Sequence, residues 1–174
     1  MLKPITIASR HVHSGRVIEV STERLRFANG REYDLDLIRH PGAAAVVPVD
    51  DRGRVCLVRQ YRLGIEDFMW EIPAGKLDAG EPPGTCAVRE LREEIGLSVA
   101  QPPRRIFKVD ACEETGWEFC WVYRCESDGP FILHPEEIET GGWFAPAFLA
   151  QWVIEKPEDF APAFLLIWNY FQAG

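Results

Sequence analysis

Glu90, Glu93 and Glu94 stand at i, i+3 and i+4 in the run RELREEIGL, the spacing that brings side chains together on a helix. Their carboxylates repel, and each like-charged pair costs an isolated helix about 0.2–0.5 kcal/mol. Any such triplet taken alone reads as a solvated acidic face, although such a face more naturally alternates acid with lysine. A hard divalent cation would remove the conflict. Mg²⁺ takes carboxylate oxygens, keeps several waters and is usually shared with substrate phosphates, which makes a diphosphate the natural third party.

A helix beginning near Pro83 is expected to carry these groups. Ala87, Leu91 and Ile95, with Val88 beside them, would form its buried face, and the carboxylates would project from another. Pro82 and Pro83 suit a first turn, and Gly96 suits the left-handed position just past the last one.

The whole stretch from Gly75 to Leu97 follows one pattern: Gly, five residues, Glu, seven residues, then Arg-Glu-aliphatic-any-Glu-Glu-any-Gly-aliphatic. Gly75, Glu81, Arg89, Glu90, Leu91, Glu93, Glu94, Gly96 and Leu97 fill every fixed position. It resembles the Nudix box. RHPGAAAVVP, LVRQYR and WEIPAGKLDAGE, between Arg39 and Leu97, are similar to the ADP-ribose pyrophosphatase branch of that family. The resemblance implies an α/β/α sandwich with a mixed sheet, preceded by a small N-terminal antiparallel β segment. It implies Mg²⁺-dependent hydrolysis, with Mn²⁺ as a substitute, of a nucleoside diphosphate sugar to a nucleoside monophosphate and a sugar phosphate. It also implies roles. Glu90, Glu93 and Glu94 would hold metal, the Ala74 carbonyl adding one ligand. Arg89 would orient the glutamates, and Glu81 would support them. Arg62, the arginine of Gln-Tyr-Arg, would contact the diphosphate, and Arg39 sits where relatives place a basic residue near substrate. A guanidinium grips phosphate in a fork that lysine cannot reproduce.

A general base is expected from the acidic stretch HPEEIETGG, where Glu137 matches best and Glu136 and Glu139 are neighbours. Two features depart from the branch. Cys112 and Glu113 stand where ADP-ribose hydrolases typically carry proline, and the Phe-Ala-Pro-Ala-Phe tail resembles Nudix proteins of other kinds, isomerase-like ones included. Hydrolysis of other nucleotides, non-catalytic nucleotide binding and isopentenyl-diphosphate-type isomerisation are the rival readings. An intact box speaks against the last two, since such domains commonly lose box residues.

A chain of 174 residues suffices for one well-buried core. Residues 1–40 are expected to form the β segment, which in relatives helps build a homodimer, and 41–174 the hydrolase domain. Within the first part, RVIEV, ERLRF and REYDLDLI read as separate extended runs, the last two joined by a turn at Asn29-Gly30. His11 and His13 fall in what reads as an N-terminal arm. AAAVVPV and RVCLVRQYRLG read as a core hairpin, and IFKVDACEETGWEFCWVYRCE as two strands around Glu114-Thr115-Gly116. Phe164, Ile167, Trp168 and Phe171 fit one face of a terminal helix, with breaks at Pro157 and near Pro162. Tyr33 and Trp117 are either stacking aromatics or core.

The net charge of −8 argues against polymeric nucleic acid as partner. Five cysteines without a C-x-x-C pair read as reduced, packed thiols. The N-terminus lacks an apolar leader core and no run is long enough to span a membrane, so cytoplasm is the expected location.

Overall fold

A computed structural model describes residues 2–173, and the chain divides into two compact units, one ending at Pro41 and the other beginning at Gly42. In the first, β1 (Ile5–Ser14), β2 (Glu19–Arg26) and β3 (Glu32–Arg39) form an antiparallel sheet in chain order. The Asn29-Gly30 turn is as expected: Gly30 takes a φ of +79° and the Asn29 side chain accepts the Arg31 N–H at 3.0 Å. Two expectations are corrected. The runs RVIEV and ERLRF merge into β2, and the supposed arm is strand β1, which carries His11 and His13 exposed. Polar alternation hides β1, because its side chains are almost all exposed.

The second unit is a seven-stranded mixed sheet. Its strands are β4 (Ala43–Val49), β5 (Val55–Arg62), β6 (Asp67–Glu71), β7 (Ala74–Lys76), β8 (Arg104–Val109), β9 (Cys120–Glu126) and β10 (Ile138–Phe144). The spine runs β10-β5-β4-β9-β8, with β6 on β5 and β7 on β4. Every residue of β4 is buried, as a small-residue run at the centre of a sandwich requires. The expected β4–β5 hairpin splits directly after its turn, pairing only at Val49 and Val55. Beyond that point β4 is claimed by β9, in parallel, and by β7, while β5 is claimed by β6 and β10.

Helices cover both faces. Val55 and Leu57 point to one side, with α2 (Pro146–Glu155), a 3₁₀ turn at Pro157–Asp159 and α3 (Pro162–Ala173). Cys56 and Val58 point to the other, with α1 (Pro83–Ile95). The tail breaks where its prolines predict, and Phe164, Ile167 and Trp168 are buried with Phe171 packed against them. All five cysteines are free thiols, four of them buried. Among the described residues no helix is long and apolar enough to cross a membrane.

Candidate active site

The start of α1 is set by an extended Pro82 followed by Pro83, whose missing N–H costs nothing at that position. Its end is Gly96 at φ +63°, where the Gly96 N–H reaches the Arg92 carbonyl at 3.1 Å and the Leu97 N–H the Leu91 carbonyl at 3.0 Å. The buried residues of α1 are Cys86, Ala87, Glu90, Leu91, Glu94 and Ile95. This corrects the expected faces: Glu90 and Glu94 share a row with Cys86 inside the buried surface, beside Ala87, Leu91 and Ile95. Val88, expected among the apolar set, is 37% exposed.

Glu90 is accommodated because Gly75 has no side chain. A Cβ there would stand 2.0 Å from Glu90 Oε1. Glu94 accepts the backbone N–H of Ala74, so β7 seats both carboxylates. Gly80, by contrast, has open space around it and serves a turn at φ +76°.

Arg89 is the hub of the exposed side. Its Nε and Nη2 donate to the two oxygens of Glu81 at 3.0 and 2.8 Å, and Nη2 also donates to the Lys76 carbonyl at 3.0 Å. Its Nη1 donates to Glu90 at 2.6 Å and to the exposed Glu93 at 3.0 Å. Gripped in this fork, Glu81 titrates at about 2. Glu90 behaves oppositely, since burial raises its pKa against the pull of Arg89.

The sign for Glu81 follows from its depressed pKa: the pair's contribution to stability is complete above the ordinary 4.5 and is lost as pH falls from there to about 2. Arg89→Lys, which keeps charge but loses the fork, is expected to lower stability above pH 4.5 and to converge with the parent below about pH 2. Acid-unfolding curves read this.

Glu94 is the most confined of these acids, 4% exposed, and its Oε2 is buried without a hydrogen-bond partner. Burial first, then the charges of Glu71 and Glu90, push its pKa well above the usual range against Arg62 and the Ala74 N–H. Among the described residues no three acidic, histidine or cysteine side chains are gathered around one point as metal ligands, and Arg89 itself engages Glu90 and Glu93. What fits a divalent cation is the orphaned buried oxygen of Glu94, with two more buried carboxylates acting on it.

Glu71 lies outside the box, directly before Ile72-Pro73-Ala74-Gly75. It is 7% exposed at the end of β6, opposite Val58 of β5, and its Oε1 lies 2.5 Å from Arg62 Nη2. Arg62 also feels Glu94 and Glu118, the latter just before β9. The signal for Glu71 is periodicity: opposite Val58, it falls on the α1 side of the sheet.

The late loop is tied to the end of α1, the N–H groups of Ile132 and His134 donating to the carbonyls of Ile95 and Glu94, each at 2.8 Å. Glu136 and Glu137 lie exposed in the following turn, whereas Glu139 is hydrogen-bonded to Arg59. Arg59 points to the opposite side of β5 from Arg62 and lines a separate cavity of about 320 Å³ with Phe68, Trp70, Thr140 and Asp159. Arg39 belongs to the first unit, where it donates to Ser21 at 2.9 Å beside Glu23. Tyr33 and Trp117 are both exposed, 48% and 74%, so neither is core.

The family described as NUDIX domain matches residues 39–164. An ADP-ribose pyrophosphatase of Bacillus subtilis is 43% identical over 110 residues, 63% of this chain and 57% of that protein's length. One from Mycobacterium tuberculosis is 36% identical over 154 residues, covering 86% of this chain and 74% of the relative. The chain thus spans little more than half of the first relative and about three quarters of the second. A crystal structure of an ADP compounds hydrolase superposes with a TM-score of 0.73 over 99% of this chain and 97% of that one, at 24% identity, a likeness of fold.

Proposed function

The chain belongs to the NUDIX domain family, and from that premise we propose that it hydrolyses the diphosphate of a nucleoside diphosphate sugar, ADP-ribose foremost. The observation that carries this reading is the buried, unpartnered Glu94 oxygen among three buried carboxylates. A site of that kind asks for a cation and, through it, for phosphate. Both ADP-ribose pyrophosphatases cited above supply the substrate class.

Glu90 and Glu94 would hold the cation, Mg²⁺ or Mn²⁺ in its place, joined by Glu93 and the Ala74 carbonyl. Held there, it would supply positive charge to neutralise the diphosphate and the phosphate that leaves. Arg89 holds Glu90 and Glu93 in position and keeps Glu81 ionised. Arg62 offers N–H donors to the diphosphate. Glu137 takes the proton of the attacking water, a role its exposed carboxylate can fill. The products are a nucleoside monophosphate and a sugar phosphate.

The deciding measurement is phosphate release with Mg²⁺, in a coupled assay, from ADP-ribose, other nucleotide sugars and nucleoside triphosphates. Preference for ADP-ribose is expected. Preference for triphosphates would overturn the substrate, and tight binding without turnover would make the domain a nucleotide sensor.

We further assign a homodimer of cytoplasmic location, with the N-terminal sheet at the interface. The support is an exposed apolar row on β3, Tyr33, Leu35 and Leu37, which strand alternation puts on one face. Replacing Leu35 and Leu37 by Asp should halve the mass seen by light scattering, and an unchanged mass would refute the assignment.

A further inference from the structure

Arg62 makes an unexpected choice of partner. Directly opposite it across the β5–β6 ladder is Asp67, an exposed carboxylate that accepts the N–H of Phe68. The guanidinium instead reaches Glu71, which is paired with Val58, four positions back along β5. A pair with Asp67 would be worth little, as exposed ion pairs are. Glu71 is different: buried at 7% exposure and next to Glu94 in charge, it would be strongly destabilising without a counterion. That need pulls Arg62 back along the strand, on the face that α1 covers.

The geometry points to Glu71 as a positioning residue that aims Arg62 at the diphosphate, an inference that rests on the hydrolase reading above. One nitrogen of Arg62 is spent on Glu71. The side chain remains 42% exposed, which leaves donors of the planar fork open to an incoming anion. A long side chain held at its tip by a buried counterion arrives with its rotamer already chosen, so less freedom is lost when phosphate binds. Glu71 itself touches no substrate in this arrangement. It also keeps Arg62 within reach of the charges of Glu94 and Glu118, so that cation and guanidinium address the same substrate group. Glu71 lies upstream of Gly75, where the box motif begins, so no fixed position of that motif encodes the residue.

The test is a kinetic double-mutant cycle with ADP-ribose and Mg²⁺, using Arg62→Ala, Glu71→Gln and the double variant. Arg62→Ala should raise KM about 10–100-fold, the size of one charge-assisted hydrogen bond. Glu71→Gln should raise KM several-fold while kcat changes less than about twofold, and in the Arg62→Ala background it should change KM hardly at all. Equal effects of Glu71→Gln in both backgrounds would overturn the inference, as would a fall in kcat at constant KM, which would place Glu71 in the chemistry itself. Arg62→Lys is the guard against misfolding: it should melt like the parent yet raise KM nearly as far as alanine, and an unchanged KM would overturn the aimed fork. A parent protein inactive on every nucleotide sugar defeats the hydrolase reading. An active parent with an additive cycle defeats only the role of Glu71.

Discussion

Glu94→Gln is expected to abolish turnover of ADP-ribose while making the metal-free protein more stable. The two effects have one cause. Glu94 is held at 4% exposure, with Oε2 unpartnered and with Glu71 and Glu90 acting on it. At neutral pH its charge works against folding, because burial and like charges both disfavour the ionised form. Glutamine has the same shape and can keep accepting the Ala74 N–H, but it brings no charge into the cluster. The melting temperature without divalent cation should therefore rise, and the gain should shrink when Mg²⁺ is added to both proteins, since cation binding stabilises only the parent's intact site. Catalysis moves the other way. The charge stabilisation a cation supplies is worth several kcal/mol, and losing it corresponds to a fall of about a thousandfold in kcat/KM. Differential scanning calorimetry with and without Mg²⁺, beside steady-state kinetics, measures both. Comparable turnover by the variant would remove Glu94 from the metal site, and a lower metal-free melting temperature would show the carboxylate to be well paired.

What was legible in the sequence was whatever depends on neighbours close along the chain. The limits of α1 follow from Pro82, Pro83 and Gly96, and the Asn29-Gly30 turn from the φ its second residue requires. The carboxylates and Arg89 sit within one short helix, so their types and spacing sufficed to suggest a cation and a phosphate. What escaped was set by distant pairing. Nothing within RVCLVRQYR tells β5 to leave β4 after one residue pair, because that depends on β9 and β10, which follow much later. Glu71 stands outside the box and meets Arg62 only because β6 pairs with β5. The three glutamates seemed equivalent on a helical wheel, yet β7 buries Glu90 and Glu94 and leaves Glu93 in solvent. The same limit applies to Glu137: its loop is anchored on the carbonyls at the end of α1, a link no local pattern announces. Charge spacing pointed to a cation, and strand pairing decided which of the charges are confined.

Gly75→Ala is expected to be the most damaging single methyl group that can be added to the site. The φ of Gly75 is not in the left-handed region, so alanine meets no backbone strain and the whole effect is steric. The added Cβ would stand 2.0 Å from Glu90 Oε1 and 2.2 Å from its Cδ, and no real contact is that short. Glu90 must leave its seat. It cannot do so quietly: the carboxylate is bonded to Arg89 at 2.6 Å, and Arg89 is bonded to Glu81, Glu93 and the Lys76 carbonyl. Displacing one member loosens the set that Arg89 organises. Overpacking of this kind costs about 1–3 kcal/mol, which for a chain of this size lowers the melting temperature by roughly 3–10 °C. The activity loss should exceed what that destabilisation explains, because at a temperature where the variant is fully folded it still lacks a correctly placed Glu90. Gly80→Ala is the matching control, since nothing lies within 4 Å of its added Cβ and only its positive φ is violated. It should cost stability of about 1 kcal/mol with little change in kcat/KM. If the two variants lose activity to the same degree at a temperature where both are folded, the seat beneath Glu90 is not what Gly75 provides.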